Sequence, residues 1–304
     1  MKAKKKVVVT GAFGYSGKAI SGKLLSKGFE VKTLTNSPDK PNPYGDRIEV
    51  EPFNFHEPEK LVNSLSGFDT LINTYWVRFN HKKFDHENAV NNTKVLFESA
   101  KEAGVNRIVH VSITNPSIDS DLEYFKGKGE LEAYLKSMAN NYSIIRPAVL
   151  FGKNDILINN IAWMIRHLPV FGVFGKGDYK LQPIHVDDFA DVIINECQND
   201  KNTVIDAIGP ETFTYKELVA TMMDIINVKK PIIDVHPYLG YLVGRVVSFI
   251  KHDVTITREE IKGLMDNLLF VDSRPIGKTK LTDWVRENQN TIGTRYANEL
   301  ARRV

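Results

Sequence analysis

One cysteine, Cys197, is the only thiol in 304 residues. A single thiol excludes an intramolecular disulfide framework, so a reducing, cytoplasmic setting is the expectation. Long apolar runs are missing as well. The nearest, YLGYLVGRVVSFI at 238–250, is interrupted by Arg245. It falls short of the ~18 residues of a membrane span, so no transmembrane segment is expected. The basic start MKAKKK leads at once into VVVT, without the apolar stretch and cleavage site of a signal peptide. A net charge of +3 leaves little excess of either sign. No basic stripe with interleaved aromatics appears, so no nucleic-acid partner is expected. There is no HExxH and no paired CxxC, and His81 and His86 stand at a poor helical ligand spacing. No metal site is expected. Neither an internal repeat nor a low-complexity linker divides the chain.

What is present is enough apolar content, 42%, for one large core or a domain with a smaller companion. Strand and helix patterns alternate through the first half. KVVVT reads as a buried strand, and KAISGKLLSKG as a helix stopped by Gly28. FEVKTLT, RIEVEPFNF, DTLINTYW and NRIVHVSIT read as further strands, with helices at PEKLVNSLSG and HENAVNNTKVLFESAKEAG. A helix over 122–141 and a strand in NYSIIRPAVLFG complete the series. Such alternation predicts an α/β fold: a doubly wound parallel sheet covered on both faces. The second half reads as helices with short strands. We expect a core over 1–150, with 183–209 returning to it. Residues 151–182 and 210–304 then form a smaller, mostly helical C-terminal lobe that binds the substrate.

The first strand runs into TGAFGYSG. Gly11 permits a tight turn, Gly14 lets backbone approach a pyrophosphate, and Gly17 lets the helix pack closely on the sheet. Phe13, Tyr15 and Ser16 fill the loop and first helical turn, whose amides suit an anion. In this strand–turn–helix context the string predicts a Rossmann-type dinucleotide site. A ribose-binding acid is expected at the end of the second strand. Thr35, Asn36 and Ser37 stand there instead, with Lys40 nearby. Without a carboxylate to repel a 2′-phosphate, NADP(H) is favoured over NAD(H). Asn54 and Phe55 fall at the adenine position, and Thr74 at the end of the fourth strand joins the cofactor set.

GAFGYSG, YFKGK, RPAVLFG and HVDDFA occur in order. With them the chain resembles the short-chain dehydrogenase/reductase superfamily. More narrowly, it is similar to the atypical branch of the NAD-dependent epimerase/dehydratase group. That branch includes relatives of a nucleotide-binding accessory subunit of respiratory complex I. VHVSITNPS, ILINNIAW, LQPIHVDD and GPETFTY carry the likeness along nearly the whole chain. The resemblance implies that Tyr124 is the catalytic acid/base and that Lys128 bonds the nicotinamide ribose and lowers the tyrosine's pKa. It places Pro147 against the nicotinamide amide. Gly127, where many relatives have serine, is expected to permit close approach to the cofactor. One departure stands out. The usual hydroxyl ending the fifth strand is replaced by Ile113, so Ser112 and Thr114 become the candidate hydroxyls if the backbone bends after the strand. Asn115–Pro116 stands where sugar dehydratases carry an acid pair.

Two functions follow as expectations. One is an NAD(P)-dependent oxidoreductase or epimerase-like enzyme acting on a carbonyl or hydroxyl of a small-molecule substrate. The other is an NADP(H)-binding sensor or accessory protein with little turnover. A monomer or homodimer is expected, with association into a larger complex as a further implication of the resemblance. Asp187–Asp188 reads first as a helix start, and His185 as a substrate contact. Tyr75–Trp76 would wall the cofactor cleft and favour a flat or apolar substrate. PVFGVFG (169–175) and the apolar helix 238–250 would line a hydrophobic substrate pocket or a core between the lobes.

Overall fold

The structure, a computed structural model, describes residues 5–38, 40, 42–81 and 84–302. It begins with β1 (Lys6–Thr10), α1 (Tyr15–Ser26), β2 (Glu30–Thr35), β3 (Ile48–Pro52), α2 (Pro58–Leu65) and β4 (Thr70–Asn73). Next come α3 (His86–Glu102), β5 (Arg107–Val111), α4 (Glu123–Met138), β6 (Tyr142–Pro147), β7 (Val149–Phe151) and α5 (Leu157–His167). β8 (Phe171–Phe174), β9 (Lys180–Leu181), β10 (Pro183–His185), α6 (Val186–Glu196) and β11 (Thr203–Ala207) follow. The chain ends with β12 (Phe213–Thr214), α7 (Tyr215–Ile225), β13 (Ile232–Val235), α8 (Pro237–Lys251), α9 (Arg258–Met265) and α10 (Leu281–Glu287). Two compact units result. The first is Met1–Pro147 with Val186–Asp206, and the second is Ala148–His185 with Ala207–Val304.

The first unit holds a seven-stranded sheet in the order β11-β6-β5-β4-β1-β2-β3. Every pairing from β6 through β3 is parallel. Parallel strands buried on both faces need continuous apolar runs. Val7, Val8 and Val9 supply one at the centre, all fully buried. On one face Val8, Leu34, Leu71, Ile108 and Ile144 pack with Leu61, Leu65, Phe97 and Leu131 of α2, α3 and α4. α1 and α6 pack together elsewhere in this unit. The strand order reverses between β1 and β4, the switch point at whose carboxyl end such sheets bind ligands. This is the doubly wound α/β fold that the alternation predicts.

NYSIIRPAVLFG is not one strand. It breaks after Pro147 into β6 of the large sheet and β7, which pairs with β10 instead. Proline offers no amide to the ladder, so the strand is free to leave its sheet there. Two elements carry no clear sequence signal: α10, and β13, which pairs with β8 in parallel.

The second unit has its own core, built from Ile158, Ile161, Phe171, Val173, Leu218, Met222, Leu264 and Val285. Thr214 with Glu217, and Thr257 with Glu260, form capping boxes that start α7 and α9. PVFGVFG belongs to this core through β8, where Phe171 and Val173 are buried. His185 lies edge-on to Phe151 at 5.1 Å between ring centroids and tilted against Trp284.

α8 differs from the expectation of a buried apolar helix. Tyr238, Leu239, Leu242, Val243, Val246, Phe249 and Ile250 are exposed, Phe249 by 81%. The inward face is instead made largely of small residues, with Tyr241 packed on the core beside them. A Cβ on Gly240 would lie 2.4 Å from the Phe174 ring, and one on Gly244 2.9 Å from Ile256. Ser248 continues this side, accepting the Thr255 amide at 2.9 Å.

Candidate functional site

The glycine turn is held from both sides. Gly11, at φ +66°, donates its amide to Leu34 O of β2 at 2.8 Å. Ala12 donates to Thr33 Oγ1, and Gly14 closes the turn onto Gly11 O at 2.8 Å. Gly17 faces the turn so closely that a Cβ there would lie 2.1 Å from Gly11 O. Gly14 is exposed, and no side chain caps α1. The first-turn amides are therefore a ready anion site. Phe13, Tyr15 and Ser16 are half-buried around it.

At the end of β2, Asn36 is exposed and Ser37 half-buried, its amide donating to Thr35 Oγ1 at 3.1 Å. The bond from Gly11 to Leu34 sets both beside the turn. Asn54 adopts φ +49° and Glu57 N donates to its carbonyl, turning the chain after β3. That turn stacks Phe55 on Phe53 at 4.6 Å, with Tyr75 tilted against both. Tyr75 OH accepts from Asn92 of α3. Burial raises the Tyr75 pKa, so the phenol stays protonated.

The exit of β4 touches the turn directly. Thr74 Oγ1 donates to Thr10 O at 2.5 Å, and the amides of Thr74 and Tyr75 donate to Thr10 Oγ1. Thr10 in turn donates to Asn73 Oδ1. With that oxygen also taking the Tyr75 amide, Asn73 Nδ2 is the group facing His110 Nδ1, at 3.1 Å. His110 accepts there, so its proton sits on Nε2. Burial, and next the nearby Lys128 charge, hold the ring well below its usual pKa range, and it stays neutral. No sequence signal marks this buried polar chain.

Two residues beyond Thr74, Trp76 meets Tyr124 and Lys128. The half-buried Tyr124 ring lies edge-on to Trp76 at 5.6 Å. Lys128 is fully buried, its Nζ 4.3 Å from the Trp76 ring centre and donating to Val111 O at 2.7 Å. Burial lowers its pKa to about 7, with Glu132 opposing. The two side chains share Trp76 as a neighbour, and its ring lies against the ammonium. His86 completes the aromatic group. It stacks on Trp76 at 5.7 Å and lies edge-on to Tyr124 at 5.8 Å. Its Nδ1 is 3.5 Å from Glu123 Oε2, which also accepts from Asn80. His86 Nε2 is buried, with no hydrogen-bond partner among the described residues. Sequence reasoning weighed His86 only as a metal ligand, because its neighbours come from distant segments.

Two of the expected residues meet protein groups. Gly127 is small for protein packing: its Cβ would lie 2.8 Å from Trp76 and 2.9 Å from Val90. Gly129 admits the backbone of Ser117 and Ile118 in the same way. Ser112, offered as a catalytic hydroxyl, is committed elsewhere. It donates at 2.7 Å to Glu132, which is also bridged by Arg146 at 2.5 Å and Lys136 at 3.4 Å. The bend after the fifth strand does occur, at Asn115 with φ +51°. It comes too late to redirect Ser112 or Thr114, whose amides still bond Ile145 and Pro147 carbonyls in register. Alternation keeps the buried Thr114 on the Ser112 side and Ile113 on the other. Pro147 ends β6 buried beside them.

Elsewhere, Asp187 and Asp188 open α6, and Lys23 binds the Asp187 carbonyl at 2.8 Å. Cys197 is buried, its thiol pushed up to about 12 by burial. Among the described residues no helix is long and apolar enough to cross a membrane.

In sequence, the chain is 24% identical over 230 residues to the mitochondrial NADH dehydrogenase [ubiquinone] 1 alpha subcomplex subunit 9 of Arabidopsis thaliana. The match covers 72% of this chain and 57% of that protein. The Rattus norvegicus protein of the same name is 31% identical over 163 residues, covering 52% of this chain and 41% of its own. The chain thus spans about two fifths to three fifths of such relatives. In structure, a triphenylmethane reductase from Citrobacter sp. matches 94% of this chain and 100% of its own, with TM-score 0.76 and 16% identity. A nucleoside-diphosphate-sugar epimerase from Staphylococcus aureus matches 97% and 99%, with TM-score 0.71 and 16% identity. At such identities the likeness is one of fold. A family model described as NAD(P)H-binding matches residues 11–199, from the glycine turn to just past α6. The chain belongs to that NAD(P)H-binding family.

Proposed function

We propose that the protein is an NADP(H)-preferring oxidoreductase or epimerase-like enzyme for a small organic carbonyl or hydroxyl compound. One observation carries this reading: the exit of β4 touches the glycine turn through Thr74 and the Tyr124–Lys128 pair through Trp76. Turn and pair are therefore linked through residues 74–76 of the first unit. A bound dinucleotide would supply or accept hydride at its nicotinamide. The amides of Tyr15, Ser16 and Gly17 would hold its pyrophosphate, and Asn36 and Ser37 its ribose phosphate, with Phe55 beside the adenine. Tyr124 would pass a proton to or from the substrate oxygen, and Lys128 would favour the phenolate. Trp76, Tyr124 and His86 favour a flat, apolar substrate. The lone buried Cys197 supports a reducing compartment, and we place the protein in the cytoplasm.

Calorimetry with both dinucleotides tests the cofactor. NADPH should bind about tenfold tighter than NADH, a difference of ~1.4 kcal/mol. Binding of neither would end the proposal. In a screen of carbonyl compounds for NADPH consumption, Tyr124→Phe should slow turnover about 100-fold. Unchanged turnover would remove Tyr124 as the acid/base.

For Lys128 to reach a ribose, Trp76 must turn off its face. NADPH should therefore change tryptophan emission, and Trp76→Phe should remove most of that change. The other two tryptophans, Trp163 and Trp284, belong to the second unit. An equal change in the variant would place the response elsewhere.

The second reading, an accessory or sensor protein with little turnover, is favoured by Ile113 and by the commitment of Ser112 to Glu132. Tight NADPH binding with no consumption across the screen is its signature.

A further inference from the structure

We propose that α8 docks flat on an anionic lipid surface. Globular helices turn their large apolar side chains inward. α8 turns most of its own outward, with Tyr241 packing on the core. Gly240 and Gly244 sit against Phe174 and Ile256. Leu242, Val246, Phe249 and Ile250 point to solvent. At 100° per residue the exposed apolar positions fill an arc of roughly 140° along a helix about 22 Å long. A face of that width and length needs a cover, and among the described residues nothing covers it.

Charge selects the cover. From Pro237 to His252 the sequence has no acid, and it carries Arg245 and Lys251, the latter turned onto the Trp163 ring at 4.6 Å. Arg245 lies exposed at the margin of the apolar arc. Arg258 lies over Tyr238 and Tyr241. The acids flanking the helix are engaged. Asp234 pairs with Lys216 at 2.9 Å, and Asp253 accepts from Tyr296 and from the amides of Glu299 and Leu300. An apolar stripe edged by arginine, too short to span, is the pattern of an interfacial helix on anionic lipid. A second copy of the chain fits less well. Arg245 lies next to the helix midpoint, so an antiparallel two-fold pair would bring the two arginines together with no acid to separate them.

Flotation of the full chain with vesicles tests this. The protein should float with phosphatidylcholine vesicles containing phosphatidylglycerol and stay behind with phosphatidylcholine alone. Leu242→Ser combined with Phe249→Ser should abolish flotation while the circular dichroism spectrum and NADPH affinity stay unchanged. Arg245→Glu should weaken flotation and blunt its salt dependence. Failure to float with the anionic vesicles, equal flotation with both kinds, or flotation untouched by these substitutions would overturn the proposal. So would a concentration-dependent dimer in sedimentation velocity that the same substitutions dissolve, which would assign the face to a second copy.

Discussion

Gly17→Ala should cost about 3 kcal/mol of stability and weaken NADPH binding about 100-fold. The added Cβ would sit 2.1 Å from Gly11 O, 2.8 Å from Gly11 C and 3.0 Å from Ala12 Cα. All three are backbone atoms, so no rotamer change relieves the contact. α1 must retreat by about an ångström, which lies at the upper end of overpacking costs. A retreat of that size also withdraws the amides from the pyrophosphate, and misplacement by ~1 Å costs about a hundredfold in positioned chemistry. Gly22→Ala, on the same helix, is the matched control. Its Cβ would meet only Tyr44, at 3.5 Å. Alanine there should stabilise by about 0.5–1 kcal/mol, since glycine within a helix is the weaker former. Urea unfolding and calorimetry on both variants decide the matter. If the two alanines behave alike, close packing at Gly17 is not what holds the turn.

Lys128→Met should change stability by an amount that depends on pH. Burial lowers the folded-state pKa of Lys128 to about 7 from the ordinary lysine value of 10.5. Above pH 10.5 the amine is neutral in both folded and unfolded chains. As pH falls below that, the unfolded chain takes up a proton that the folded chain refuses until about pH 7. The folded state therefore loses stability as pH falls across this window, and the slope ends below it. Between pH 10 and pH 7.5 the loss amounts to about 3 kcal/mol. That is a ceiling, because the Trp76 face and the Val111 carbonyl favour the ammonium. Methionine fills similar volume without a proton to bind. The stability of Lys128→Met relative to the natural chain should thus rise by up to that amount as pH falls from 10 to 7.5. Urea unfolding at a series of pH values reads it directly, and a difference that stays flat would mean the amine is solvated in the folded protein.

The parts of this molecule legible in its sequence are those set by local period and local sterics. The alternation of strands and helices gives the layered sheet, and GAFGYSG at the end of a valine-rich strand marks the turn. What escaped depends on partners from distant segments. Gly127 looks like an allowance for a ligand until Trp76 and Val90 are seen pressing on it. Ser112 looks like a spare hydroxyl until Glu132 claims it, twenty residues on. Lys128 sits at a recognisable spacing from Tyr124, but nothing in that spacing foretells an indole over its amine. α8 shows the same limit in another form. Its sequence has both an apolar stripe and a glycine stripe, either of which can face a core, and only packing chooses between them.

The notch at Gly127 gives Trp76 its resting place. A ring that lies there because one carbon atom is missing from the facing helix is held by shape, not by a hydrogen bond from its own nitrogen, which has no partner among the described residues. Turning it away takes rotation about its own side-chain bonds and a parting from His86 and the Lys128 ammonium. The cover on the buried amine thus behaves as a hinged shutter, and the width of its frame is set by a single hydrogen atom at position 127.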